Sequence, residues 1–184
     1  MVFEDVSGNG NLWAVIYDGE EENVIVQTFT NWFNPDYLYK FFMENSVDLA
    51  KNFRITNLNQ AVFDTIEDAN KFACVIFDFS PDMELDMVFR PLENYRTAEM
   101  TLSREKAKGY RICNHPSWLR LYAIKLDEGS YLVTGGTIKL TWKMDEREHT
   151  LQELKRMEQV RNFLLGNGVT DLDALKDYKN NESN

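Results

Sequence analysis

The most regular pattern of apolar and polar positions lies in "LRLYAIKLDEGSYLVTGGTIKLT", residues 119–141. Leu119, Leu121 and Ala123 alternate with Arg120, Tyr122 and Ile124, the period of two that predicts a strand with two distinct faces. "DEGS" supplies a turn and "YLVTGGTI" returns as the partner strand. Gly135-Gly136 within that partner points to a bulge or a close backbone approach. A phosphate loop is not predicted there, because no G-K-S/T and no helix N-terminus follow.

Upstream, "NLWAVIYD" (11–18) is rich in β-branched and aromatic residues, "GEEEN" reads as a turn, and "VIVQTFT" (24–30) as a returning strand, giving an N-terminal hairpin. At 34–53 the period changes to that of a helix: Asn34 caps, Pro35 takes the first helical position, Asp36 complements the dipole, and Leu38, Phe41 and Phe42 form a stripe. A second helix is predicted within 57–82, with Val62, Ile66, Ala69 and Ala73 on one face, Phe63 and Phe72 widening it, and Ser80-Pro81 ending it. "ELDMVFRPLE" (84–93) reads as a short strand stopped by Pro91, and 94–117 as a polar, loop-rich passage. A final helix within 144–168 aligns Leu151, Leu154, Met157, Val160, Phe163 and Leu164; Thr150 or Asp145 caps it, and Thr150 with Glu153 has capping-box spacing. The expected fold is α+β: one domain over 1–184, a mostly antiparallel sheet with two N-terminal helices packed on it and a C-terminal helix. The core covers about 11–165, and 166–184 is a partly frayed extension.

Composition narrows the function classes. A 43% hydrophobic and 13% aromatic content is that of a folded chain. No run reaches the roughly 18 apolar residues of a membrane span, and the acidic start "MVFEDVSGNG" is unlike a signal peptide. A cytoplasmic protein with reduced Cys74 and Cys113 is expected. The net charge of −10 opposes broad nucleic-acid binding, but its distribution is uneven. Residues 1–110 carry 9 basic and 19 acidic side chains, residues 111–165 carry 9 and 7. The predicted hairpin thus lies in the one net-positive stretch of the chain.

The stretch 118–164, with the upstream "FRPL" at Phe89–Leu92, resembles the RelE/HigB toxins of bacterial type II toxin–antitoxin modules. The resemblance rests on Arg120 and Tyr122 in the first hairpin strand, the apolar strand Tyr131–Thr134, Lys139 and Lys143 after it, and Thr150-x-x-Glu153-Leu154 opening the final helix. It implies a RelE-like fold, translation-linked cleavage of messenger RNA without metal or other cofactor, a ribosome-bound mRNA as substrate and a cognate antitoxin as partner. The chain departs from the family in being longer and acidic.

Arg120, Lys139, Lys143 and His149 are the residues expected in catalysis, and Tyr122, Lys125, Trp142 and Arg147 those expected to contact RNA; of these the family motif covers Arg120, Tyr122, Lys139 and Lys143. The chemistry suits them. Attack of a ribose 2′-OH on the adjacent phosphate needs a proton acceptor, cations for the phosphorane and a donor for the leaving oxygen. An arginine fork binds two phosphate oxygens, and an aromatic ring stacks an unpaired base. Each residue also has a plainer reading: Arg120 as a surface ion-pair partner, the lysines as edge-strand protection, His149 as a surface histidine whose acidic neighbours favour its protonated form. Cys113, His115 and His149 match no zinc pattern, so no metal site is predicted. Two alternatives stay open. One is a non-catalytic, RelE-like protein-binding module, in which the cations pair separately with acids. The other is an acidic decoy, for which Glu20, Glu21 and Glu22 are too few.

Overall fold

Six strands form one sheet in the computed structural model, which describes residues 1–77, 85–92, 101–109 and 115–182. They are β1 (Val2–Asp5), β2 (Leu12–Ile16), β3 (Phe89–Pro91), β4 (Arg104–Lys108), β5 (Leu119–Asp127) and β6 (Ser130–Ile138), ordered β1-β2-β6-β5-β4-β3. Neighbours are antiparallel except β2 and β6, which run parallel. A parallel pair needs a crossover. Between β2 and β3 lie α1 (Val24–Trp32), α2 (Pro35–Glu44), α3 (Ser46–Phe53) and α4 (Leu58–Phe77); α5 (Glu148–Gly166) and α6 (Leu172–Glu182) follow β6. The α+β class and the mostly antiparallel sheet are as the pattern predicts. No helix among the described residues is long and apolar enough to cross a membrane.

The adjacent glycines of β6 tell the two sheet faces apart. A Cβ on Gly136 would meet Thr28 of α1 and Leu121, whereas one on Gly135 would meet Glu153 of α5. Consecutive strand residues point to opposite faces, so α1 and α5 cover opposite sides. The register skips Thr134 opposite Tyr122 and Ala123, the bulge expected at the glycine pair. The α1 side holds most of the core, with Trp32, Phe42, Phe72, Trp118 and Leu121 all buried.

Several elements differ from expectation. Residues 24–30 form α1, not a returning strand, because the Asn23 side chain accepts from the Ile25 and Val26 amides and caps a helix. Val24, Ile25, Phe29 and Trp32 then fall on one buried face, and that packing overrides the β-branched local sequence. The partner of β2 is instead β1. In α2, Asn34 and Pro35 act as predicted, and Asn45 divides the expected single helix into α2 and α3. Thus four helices, not two, stand in the N-terminal half among the described residues. The buried face of α4 runs through Ala61, Thr65, Asp68, Ala69, Phe72 and Ile76; Phe63 is exposed. The predicted stop at Ser80-Pro81 lies outside the described residues. Within the passage read as loop, Arg104–Lys108 pairs with β5 as a strand. The tail is three turns of helix, with Leu175 buried and the Tyr178 ring against Phe3 and Phe163.

Candidate functional site

Register places a set of cations on the α5 side of the sheet. On β5, Arg120 and Tyr122 share a face; on β4 Lys108 stands opposite Arg120 and Lys106 opposite Tyr122; on β6 Thr137 and Gly135 complete the rows. Lys139 follows directly after β6. The four cations act on one another. Burial first, then Arg120, holds the ammonium pKa of Lys106, Lys108 and Lys139 below the usual lysine range, and Lys139 is lowered further by Lys106 and Lys108. Burial likewise lowers Arg120. None of the four forms an ion pair among the described residues. Like charges brought together at a half-buried surface repel, and a bound anion relieves that repulsion.

Their donors are not equally free. Arg120 Nη1 donates to the Ser117 and Leu119 carbonyls at 2.9 and 2.7 Å, which fixes the guanidinium and leaves Nε and Nη2 without a hydrogen bond among the described residues. Lys106 Nζ donates to the Leu92 carbonyl at 3.0 Å, and Lys139 Nζ to the Thr141 and Trp142 carbonyls. Lys108 is exposed and makes no hydrogen bond among the described residues.

A carboxyl also lies on this face. Glu153 of α5 is 4% exposed, and its Oε2 has no hydrogen-bond partner among the described residues and lies where a side chain at 135 would stand. Burial pushes its pKa up to about 7, against the opposing pull of Arg156, whose Nη1 donates to Oε1 at 3.0 Å. The Tyr122 hydroxyl is buried without a partner among the described residues as well, and burial raises its pKa.

The eight residues assigned from sequence therefore divide. Arg120 and Lys139 come together. Tyr122 shares their face, but its ring is fully buried and cannot stack a base, a correction to its expected role. Lys125 points to the opposite face, five residues from Arg120 on an alternating strand, where it bonds Asp86 Oδ1 at 2.7 Å and lies over the Tyr131 ring. Lys143 shares no strand face with Lys139, because β6 ends at Ile138 and Asn52 holds the Leu140 carbonyl as the chain turns away. Arg147 is committed to Asp48 through Nε and Nη2 at 2.6 and 2.7 Å, and that carboxylate raises its pKa.

His149 sits at the seam of α2 and α5, its Nε2 3.1 Å from the Ile138 carbonyl and its ring edge-on to Phe41. The acids expected to keep it protonated do not prevail. Burial holds its pKa below the ordinary imidazole value, with the Ile138 carbonyl opposing and Arg147 adding to the fall. Trp142 is 86% exposed. The capping box does not form either: the Thr150 hydroxyl donates to the Arg147 and Met144 carbonyls, and Glu153 faces the sheet. His115 is occupied by Asp64, the Pro116 carbonyl and the Trp118 ring, and Cys113 lies outside the described residues. No cluster of three or more His, Cys, Asp or Glu suited to a metal occurs among the described residues.

Sequence reasoning missed Lys106, Lys108 and Glu153. In "REKAK" the lysines sit two apart with Ala107 between them and Glu105 before them, an alternation too weak in apolar residues to announce a strand. Glu153 was legible in principle, since Thr150, Glu153, Met157, Val160 and Leu164 form the buried stripe of α5. The chain matches no known protein-family model, no curated protein and no solved structure.

Proposed function

We propose that this chain is an endoribonuclease of the RelE/HigB kind, a toxin-like enzyme that cuts messenger RNA on the ribosome, with Lys106, Lys108, Arg120 and Lys139 around the scissile phosphate. The convergence of those four cations on one sheet face, in a chain of net charge −10, carries the reading. The order of elements supports it too. In the RelE/HigB toxins a first strand and two helices lead into a three-strand meander; here β2 and four helices lead into β4 to β6, with α5 after it and β1, β3 and α6 as additions.

Each group has a role in the proposed reaction. Arg120, fixed through Nη1, offers Nε and Nη2 to two phosphate oxygens and strengthens its hold as the phosphorane gains charge. A pKa below the usual lysine range eases loss of the ammonium proton, and the neutral amine then accepts the proton of the 2′-OH. Lys108 suits this step because its amine has no other bond among the described residues. The 2′-oxygen bonds phosphorus as the bond to the 5′-oxygen breaks. That oxygen takes a proton from a neighbouring ammonium, leaving a 2′,3′-cyclic phosphate and a 5′-hydroxyl. A protein-binding module would have its cations separately paired with acids. Arg147 and Lys125 are so paired, but the cluster is not.

Inducible expression in bacteria tests the reading. Wild type arrests growth with cut transcripts, and Arg120→Ala or Lys106→Ala with Lys108→Ala relieves both while the protein stays folded by circular dichroism. Normal growth and intact transcripts with a soluble, folded wild type would overturn the enzyme reading in favour of protein binding.

A further inference from the structure

The chain has four tryptophans, and three of them are core. Trp13, Trp32 and Trp118 are no more than 3% exposed; Trp142 is 86% exposed, between a buried Thr141 and an exposed Lys143. A tryptophan so placed gives up the burial that usually justifies its size.

The loop beneath it is well tied. Lys139 N donates to the Trp118 carbonyl at 2.8 Å, Asn52 Nδ2 to the Leu140 carbonyl at 2.8 Å, Thr141 Oγ1 to the Lys143 carbonyl at 3.0 Å and Lys143 N to Glu146 Oε1 at 2.6 Å. Lys139 Nζ reaches the Trp142 carbonyl itself at 2.5 Å. That ammonium feels Arg120, Lys106 and Lys108, so one side chain joins the indole's peptide to the cation cluster.

The loop's other exposed residues say what kind of partner fits. Lys143, Asp145, Glu146 and Arg147 are all charged, and the loop's one other apolar side chain beside the ring, Met144, is half-buried. A single aromatic face among charges, at the rim of a phosphate site, fits a flat heterocycle attached to a phosphodiester.

We propose that Trp142 is the base-stacking platform of this site and takes one unpaired nucleobase of single-stranded RNA whose phosphate rests on the cation cluster. The proposal depends on the RNA reading above and adds to it the residue that holds the base.

Tryptophan emission tests this directly, because acrylamide reaches Trp142 and not the three buried indoles. The probe is a fluorescein-labelled, 2′-O-methylated hexauridine, which cannot be cut by 2′-attack, with inorganic tripolyphosphate supplying charge without bases. The oligonucleotide is expected to bind by anisotropy and to protect Trp142 from acrylamide, while tripolyphosphate does not protect it. Trp142→Leu should weaken binding about ten- to a hundredfold, and Trp142→Phe by much less. Equal binding by Trp142→Leu with Trp142 still fully quenched would overturn the stacking role and leave the cation site standing. Failure of the wild type to bind any oligonucleotide would instead overturn the RNA reading. Protection that grows with protein concentration alone would overturn the proposal in favour of a second copy of the chain.

Discussion

Glu153→Gln removes a charge whose environment disfavours it, and the consequence for stability can be worked out. The carboxyl rises from an ordinary 4.5 to about 7 in the folded chain, chiefly through burial. Between those two values the folded state holds a proton that the unfolded state releases, so stability falls as pH rises through that window. Below pH 4.5 both states are protonated and no difference remains. Above pH 7 both are ionised and the full penalty stands. A shift of that size corresponds to roughly 3 kcal/mol at 1.36 kcal/mol per pKa unit. Glutamine keeps the shape without the charge, so Glu153→Gln should match wild type near pH 4 and exceed it by about 3 kcal/mol at pH 8, or roughly 6–12 °C in Tm for a chain of this size. Urea unfolding of both proteins at several pH values, with the slope checked for constancy, measures the difference. A gap between the two that stays the same from pH 4 to pH 8 would refute a buried, weakly compensated carboxyl at this position.

The same contact makes a steric prediction. A Cβ on Gly135 would lie 1.9 Å from Glu153 Oε2, so Gly135→Ala should cost about 1–3 kcal/mol, and adding Glu153→Ala should recover part of it, a non-additivity visible in a double-mutant cycle. If the cluster binds single-stranded RNA phosphates, log affinity against log salt should slope at about −0.7 per cation engaged, and Lys106→Ala and Lys108→Ala should each flatten it by about that amount. Lys125→Ala, on the opposite face, should leave RNA affinity and its salt slope unchanged while lowering Tm through loss of the Asp86 contact.

What could be read from the sequence depended on how strongly each local pattern was written. The β5–β6 hairpin was legible because its apolar alternation and "DEGS" turn agree, and the glycine pair in β6 marks its bulge. Helix α2 was legible from Asn34, Pro35 and Asp36. Helix α1 was not, because "VIVQTFT" favours a strand locally and only the Asn23 cap and tertiary packing make it helical. The site divides the same way. Arg120 stands on a strongly patterned strand and was found. Lys106 and Lys108 stand on a strand with almost no apolar signal and were not. Lys125 was misplaced by neglect of parity, since an odd spacing from Arg120 turns it to the other face. The pairing of Arg147 with Asp48 joins residues far apart in the chain, and no local pattern announces it.

The most direct measurement is to add the purified chain to a translating messenger RNA and map the cut ends. Cleavage by wild type that leaves 5′-hydroxyl and 2′,3′-cyclic phosphate ends, and that is lost in folded Arg120→Ala, is the expected result. Intact RNA with folded wild type, or cutting that Arg120→Ala does not diminish, would contradict the assignment of this face as a ribonuclease site.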